Sequence, residues 1–502
     1  MIKKQLLSHK KIILVATMII LAKTLNVLKD IVLTRVCGTN IVTDVFLMVY
    51  TVCITLFFAL TSAFGTCYIP IYNSLKNEKR IGKFNFMAIL VSVFFSLIVL
   101  LLYSLFKDFL VNSYGAGLND SGKYYMKEIA DVMIFSMPFI AMYNIFTSYL
   151  QNKGFTIIAA GYPVISSVTF IIGALFFYNG YKSLPAFVLV GNVLTFITLL
   201  IIAILKGFRI SKCTDQKNEL SDLFRMVIPI FLGIAMADIN SMVDKGFAAS
   251  LPTGTVTGLD YAYKLSGAIQ SIVSGAVSIV VFPKISLAYS CKDLKKVESI
   301  VTDSLKFICR IVIPMVVLCQ FLTRAIVIVL YKNNGFNDYV LNITDYSFFI
   351  YNLAVIPLSI RVILEKVFWS EKNTSITMLF GALGVVVNIF LDFVLTLNYG
   401  YAGLASASVI AAIVTTILYI AKMNRQTESN FFISIPAMIC NSIIMLLPSI
   451  AVTWVLSKCL FKVDSIVYMI RDAVICSIEF YAIYVLMRYI SERVNDGRLM
   501  KN

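Results

Sequence analysis

Apolar runs of about 20 residues recur from one end of the chain to the other, each long enough to cross a bilayer as a helix. That recurrence constrains the fold more than any single motif. Approximate limits are 11–33, 42–69, 84–110, 129–150, 155–178, 184–205, 223–249, 258–283, 304–330, 342–365, 374–397, 401–421, 431–457 and 465–489. A soluble domain is about 45–50% apolar and about 25% charged. This chain is 59% apolar and 14% charged. The expected fold is all-α and polytopic, with about 14 transmembrane helices. The start of the chain (Lys3, Lys4, Lys10 and Lys11, then an apolar run) has the charge pattern of a signal peptide. It lacks an A-x-A-like cleavage site and runs on into Lys23, so it is expected to stay as the first helix.

The formal charge of +16 would suggest nucleic acid in a soluble protein. Here the Lys and Arg residues cluster in alternate short loops, the pattern that marks the cytoplasmic side. "NSLKNEKRIGK", "KGFRISKCTDQKNE", "KISLAYSCKDLKK", "EKVFWSEKN", "KMNRQ" and "SERVNDGRLMK" fall on one side with the N-terminus. The opposite loops, such as "GTNI", "LPTGTVTG" and "NYGYAG", are poor in basic residues. Both termini are therefore expected in the cytoplasm and no nucleic-acid partner is expected. Anionic membrane lipids are expected as secondary contacts of the basic loops. The ten cysteines are scattered with no C-x-x-C pair, and His9 is the single histidine, in a basic tail. This argues against a metal site and against histidine acid–base chemistry.

The order of features repeats. "KDIVLTRVCGTNIVTDVF" and "DKGFAASLPTGTVTGLDYA" each show a charge pair, an apolar stretch, a Gly/Thr turn and an Asp opening the next helix. Asp30 matches Asp244, Asp44 matches Asp260, Pro70 matches Pro283 and Lys153 matches Lys372, at a shared offset of about 215 residues. Collinear repeats of this kind are the architecture of alternating-access transporters. The expected division is an N-lobe over 1–210 (helices 1–6), a C-lobe over 211–425 (helices 7–12), and two further helices with a cytoplasmic tail over 426–502.

Polar groups inside the spans are the candidate site. On the first helix Lys23, Asn26, Asp30 and Thr34 stand at i, i+3, i+7 and i+11, one stripe of a helix, with Lys29 about 100° away. A charge at the centre of a membrane helix costs about 2.5–3.5 kcal/mol on insertion scales, so the stripe must face protein or water. Two readings fit it: a cationic wall for an anionic headgroup, or structural ion pairs and lysines snorkelling to an interface. In the second half Asp238, Asp244 and Lys245 fall on helix 7. Asp260 and Lys264 form an i, i+4 pair on helix 8, and Arg361 and Glu365 form another on helix 10; each pair fits a structural role as well. No role is assigned to Asp392, Arg471, Asp472 or Glu479. Pro138, Pro163, Pro229, Pro314 and Pro357 allow kinks. There is no G-x-x-x-x-G-K-[ST] loop, so no ATP site and no cofactor is expected, and the drive would be membrane potential or a coupling ion. Short outer loops and the lack of a catalytic constellation argue against an enzyme.

"LKDIVLTRVCGTNIVTDVFLMVY" with "AFGTCYIPIYNSLK" resembles the opening of the MurJ/MviN lipid II flippase family, of the MOP exporter superfamily. "DINSMVDKGFAASLPTGTVTGLDYAYKLSGAIQSIVSGAVSIVVFPKIS" resembles its helices 7 and 8, and "IRVILEKVFWSEKNTSI" with "NYGYAGLASAS" its helices 10 to 12. The resemblance implies two bundles around a cationic cavity. It also implies export of undecaprenyl-diphosphate-linked cell-wall precursor across the bacterial inner membrane, in peptidoglycan biosynthesis. By position Lys23, Lys29 and Lys264 fall where the family has cavity arginines, and Asp30 and Asp44 on its acidic positions. Asn26, Asp244, Asp260 and Arg361 are secondary candidates. The charged positions of the family's helix 2 are here the apolar run "CITLFFALTSAFG". A diverged member handling another polyprenyl-diphosphate-linked glycan fits these departures as well as a lipid II exporter does. Cell-wall or polysaccharide assembly proteins are candidate partners. Two rival expectations are a cation-coupled MATE-type exporter of small molecules, and a non-transporting scaffold of polysaccharide assembly.

Overall fold

The computed structural model describes residues 2–75, 77–211, 227, 231, 236, 238–332, 335–371, 373–426, 430–460 and 466–499. Lys372, Pro229, most of the loop 206–219 and part of the expected helix 7 lie outside them. Among the described residues the structure is helical, with no strand. The helices are α1 (Ile2–Cys37), α2 (Ile41–Ser74), α3 (Glu78–Tyr114), α4 (Asp120–Asn152), α5 (Thr156–Phe176) and α6 (Ser183–Leu205). Then come α7, described as helix over 238–248, and α8, which starts at Thr255 and ends at Ser290. The remainder are α9 (Leu294–Tyr331), α10 (Asp338–Ser370), α11 (Thr374–Tyr399), α12 (Tyr401–Asn424), α13 (Phe431–Leu460) and α14 (Ile466–Leu499). Eleven of the described helices are long and apolar enough to cross a membrane, and the chain is a multi-pass membrane protein.

Local chemistry sets the helix ends. Gly38, at φ +78°, ends α1, and its N–H donates to the Thr34 carbonyl at 2.9 Å; a residue without Cβ adopts that left-handed conformation at little cost. Two residues on, the Asn40 side chain accepts from the N–H groups of Val42 (2.9 Å) and Thr43 (3.3 Å) and caps α2. The four letters "CGTN" thus close one helix and open the next. Asn77, Asn119 and Asp293 cap α3, α4 and α9 in the same way.

Two helices depart from a uniform α turn. In α2 the segment Thr51–Leu56 is π-helical, and in α8 so is Val277–Val281. A π segment takes in an extra residue and rotates the rest of the helix about its axis, and such segments recur at functional sites. Hydropathy alone does not signal them.

The chain forms two compact units: Met1–Thr257 with Asn333–Asn337, and Gly258–Lys332 with Asp338–Asn502. In the first, α1 packs along α5, α5 along α6, and α2 against α4. Gly191 of α6 sits against the Ser166 backbone of α5, where a Cβ at 191 would come within 3.1 Å of the Ser166 carbonyl oxygen. In the second, α9, α10, α11 and α12 pack as neighbours, and α13 and α14 pack on each other and on α9. The core there runs through Val301, Leu305, Ile308, Ile363, Leu364, Phe368 and Tyr419. The broad apolar faces left outside, such as Leu105, Phe106 and Phe109 of α3, suit contact with lipid.

Candidate functional site

In the first unit the polar stripe of α1 divides along its length. Lys23 and Asn26 are exposed, whereas Lys29, Asp30 and Thr34 are buried. Asn26 meets α5, where the Ser167 hydroxyl donates to its Oδ1 at 3.5 Å. Thr34 turns its hydroxyl back to the carbonyls of Asp30 and Ile31. Lys29, which periodicity puts beside the stripe rather than on it, is the buried cation, only 6% exposed. Its Nζ lies 4.0 Å from the centroid of the Tyr50 ring of α2 and 5.9 Å from that of Phe170 of α5. Among the described residues Lys29 makes no ion pair.

Asp44 opens α2 and is 3% exposed. Its Oδ2 accepts from the Gly254 N–H (2.5 Å), and its Oδ1 from the Thr257 N–H (2.9 Å) and hydroxyl (2.5 Å). It therefore caps the start of α8 from a distant part of the chain, satisfying donors that a helix N-terminus leaves open. The structure does not bring it to the lysines of α1. Within α7, Asp244 takes a weak bond from the Asn240 amide at 3.4 Å, and the buried Lys245 donates to the Thr51 hydroxyl at 2.6 Å, the first residue of the π segment in α2.

In the second unit Lys264 and Asp260 lie 2.7 Å apart on α8; the lysine is half-buried, the carboxylate almost wholly so. The Lys264 ammonium also stands 5.5 Å from the Tyr261 ring, which stacks on Tyr331 at 4.8 Å. Arg361 and Glu365 pair at 3.1 Å on α10, with the Tyr419 hydroxyl donating to Glu365 at 3.5 Å. Asp392 is buried in α11 and accepts from the Asn388 amide at 2.6 Å. Glu479 accepts from Thr453, and Arg471 holds Asp472 at 2.7 Å.

These arrangements differ in what they can bind. An ammonium over aromatic faces gains roughly 0.5–2 kcal/mol from the ring quadrupoles, yet its charge is not cancelled. Away from bulk water that charge attracts an anion more strongly than an exposed lysine would. Tyr50 and Phe170 went unmarked in the sequence because an aromatic residue in an apolar helix is most often core.

The family model for the lipid II flippase MurJ matches residues 33–471. The chain belongs to the MurJ lipid II flippase family. A probable lipid II flippase MurJ of Treponema pallidum is 21% identical over 440 residues, covering 85% of this chain and 83% of that one. A probable lipid II flippase MurJ of Vibrio cholerae is 22% identical over 447 residues, with 85% and 84% covered. Among solved structures, a lipid II flippase MurJ in an inward closed conformation superposes with a TM-score of 0.82 at 22% identity, covering 96% of this chain and 99% of that one. An inward-facing MATE multidrug transporter of the MOP superfamily gives 0.70 at 13% identity, with 83% and 100% covered. The expected helical transporter fold is thus shared with both.

Proposed function

We propose that this chain is a flippase that moves lipid II, or a related undecaprenyl-diphosphate-linked cell-wall precursor, across the bacterial inner membrane by alternating access. Membership of the MurJ family along 33–471 carries the reading. The chemistry of the first unit supports it: Lys29 is a buried cation held by rings, with Lys23 exposed two turns before it on the same helix. A diphosphate carries the opposite charge, and its prenyl tail suits lipid. Lys264 is the corresponding candidate in the second unit. No step of this function makes or breaks a covalent bond, and the drive is the membrane potential or a coupling ion. Both termini lie in the cytoplasm on this reading, from the loop charges.

Complementation tests it. The gene is expressed in cells depleted of their own lipid II flippase, and lipid II translocation is followed in vesicles. Rescue is expected, and it should fail for Lys29→Ala while protein levels hold. Lack of rescue by the intact chain, with transport of soluble organic cations instead, would overturn the reading in favour of a MATE-like exporter. Another polyprenyl-diphosphate glycan being moved in place of lipid II would narrow it to a diverged member.

A further inference from the structure

Lys29 is held by a built seat. Tyr50 faces its ammonium at 4.0 Å, and Phe46, 1% exposed, braces that ring at 6.0 Å between centroids. Phe46 also contacts Phe170 at 5.8 Å, and Phe170 meets Phe187 edge-on at 6.5 Å. The rings come from α2, α5 and α6, so packing fixes their positions and the lysine does not. Tyr50 is the last residue of regular α-helix before the π segment Thr51–Leu56, whose first hydroxyl is tied to Lys245 at 2.6 Å. The seat therefore stands where the backbone of α2 changes register.

The chemical consequence comes from the nature of a ring face. A carboxylate in the place of Tyr50 would hold the ammonium and neutralise it, and a phosphate would then have to displace it. A ring holds the ammonium on one side only and leaves the N–H groups on the other side free for oxygen acceptors. Fixing the Lys29 side chain in advance also removes much of the rotamer entropy that a flexible lysine loses on binding.

We propose that Tyr50, braced by Phe46 and Phe170, is a positioning residue for the anionic headgroup: its ring face holds the Lys29 ammonium in place of a counter-carboxylate and presents it to a phosphate oxygen. This rests on the headgroup-binding reading above. Tyr50 acts through Lys29 and need not touch the substrate.

The test is equilibrium binding of lipid II to the purified full-length chain. Tyr50→Leu should weaken binding by about 3- to 30-fold, the span of one cation–π contact away from water. Tyr50→Phe should restore what Tyr50→Leu loses. The double variant Lys29→Ala/Tyr50→Leu should bind no more weakly than Lys29→Ala, because the ring acts through the lysine. Replacing Tyr50 with phenylalanines of rising ring fluorination nearly fixes the size while draining the negative face. Affinity should then fall step by step, and this series decides the matter where Tyr50→Leu does not fold. A flat series, with Lys29→Ala still impaired, overturns the positioning role and leaves the flippase reading standing. Wild-type affinity in Lys29→Ala overturns the headgroup-binding reading, and this inference with it.

Discussion

Lys29 of the first unit and Lys264 of the second both lie on membrane helices, and their surroundings differ. Lys29 rests on Tyr50 and Phe170 and has no ion pair among the described residues. Lys264 lies 2.7 Å from Asp260 one turn away on its own helix. Among the described residues the first ammonium is met by ring faces, and the second by a carboxylate together with the Tyr261 ring. The aspartates differ likewise. Asp44 and Asp260 occupy matched places in the internal repeat, yet Asp44 serves backbone N–H groups and Asp260 serves a lysine. A repeat in sequence thus preserves where the charges lie along the helices and not what they do.

Three substitutions would break or sharpen this contrast. The largest effect on stability is expected at Asp44. Asp44→Ala removes an acceptor of three hydrogen bonds and leaves buried N–H groups open, at about 2–4 kcal/mol, since bonds to charged groups contribute about 1.5–3 each and the losses overlap. Thermal unfolding in detergent should show a clear fall, with Asp44→Asn in between. An unchanged midpoint for Asp44→Ala would show that the 254–257 turn is held by other means.

Next comes the ion pair. Lys264→Met removes the ammonium 2.7 Å from the buried Asp260 carboxylate, whereas Asp260→Leu/Lys264→Met removes both charges. The single variant should be the less stable of the two by about 1–3 kcal/mol, below the roughly 3–5 for a fully buried pair because Lys264 is half-exposed. Equal stability of the two would mean that other groups compensate the Asp260 carboxylate and that its pairing with Lys264 is dispensable.

The smallest effect is expected at Asn40, whose side chain caps α2 ten residues before Tyr50. Asn40→Ala should cost about 1 kcal/mol and lower the unfolding midpoint slightly, with lipid II binding nearly unaltered. A large loss of binding instead would tie the start of α2 to the placement of Tyr50.

Much of the molecule was legible in the residues. The apolar runs dictate membrane helices because a lipid-exposed backbone has no other way to satisfy its N–H and C=O groups. "CGTN" dictates a stop and a start because glycine tolerates positive φ and asparagine caps. The stripe from Lys23 to Thr34 dictates a polar face on α1. Helical periodicity, however, ranks residues by the angle at which they leave one helix, and it placed Lys29 to the side of that face. The choice of Lys29 as the buried cation was made by Tyr50 and Phe170, which only packing brings to it. Asp44 meets Thr257 across 213 residues of chain, and Lys245 meets Thr51 across 194. Nothing local records such partners. The sequence by itself determined a helical, charge-bearing membrane protein, because hydrophobic length and helix caps are short-range. Only the tertiary structure decided that Lys29 meets ring faces, because Tyr50 and Phe170 lie on other helices that packing brings alongside, whereas the Asp260–Lys264 pair is local to one helix and is legible as an i, i+4 spacing.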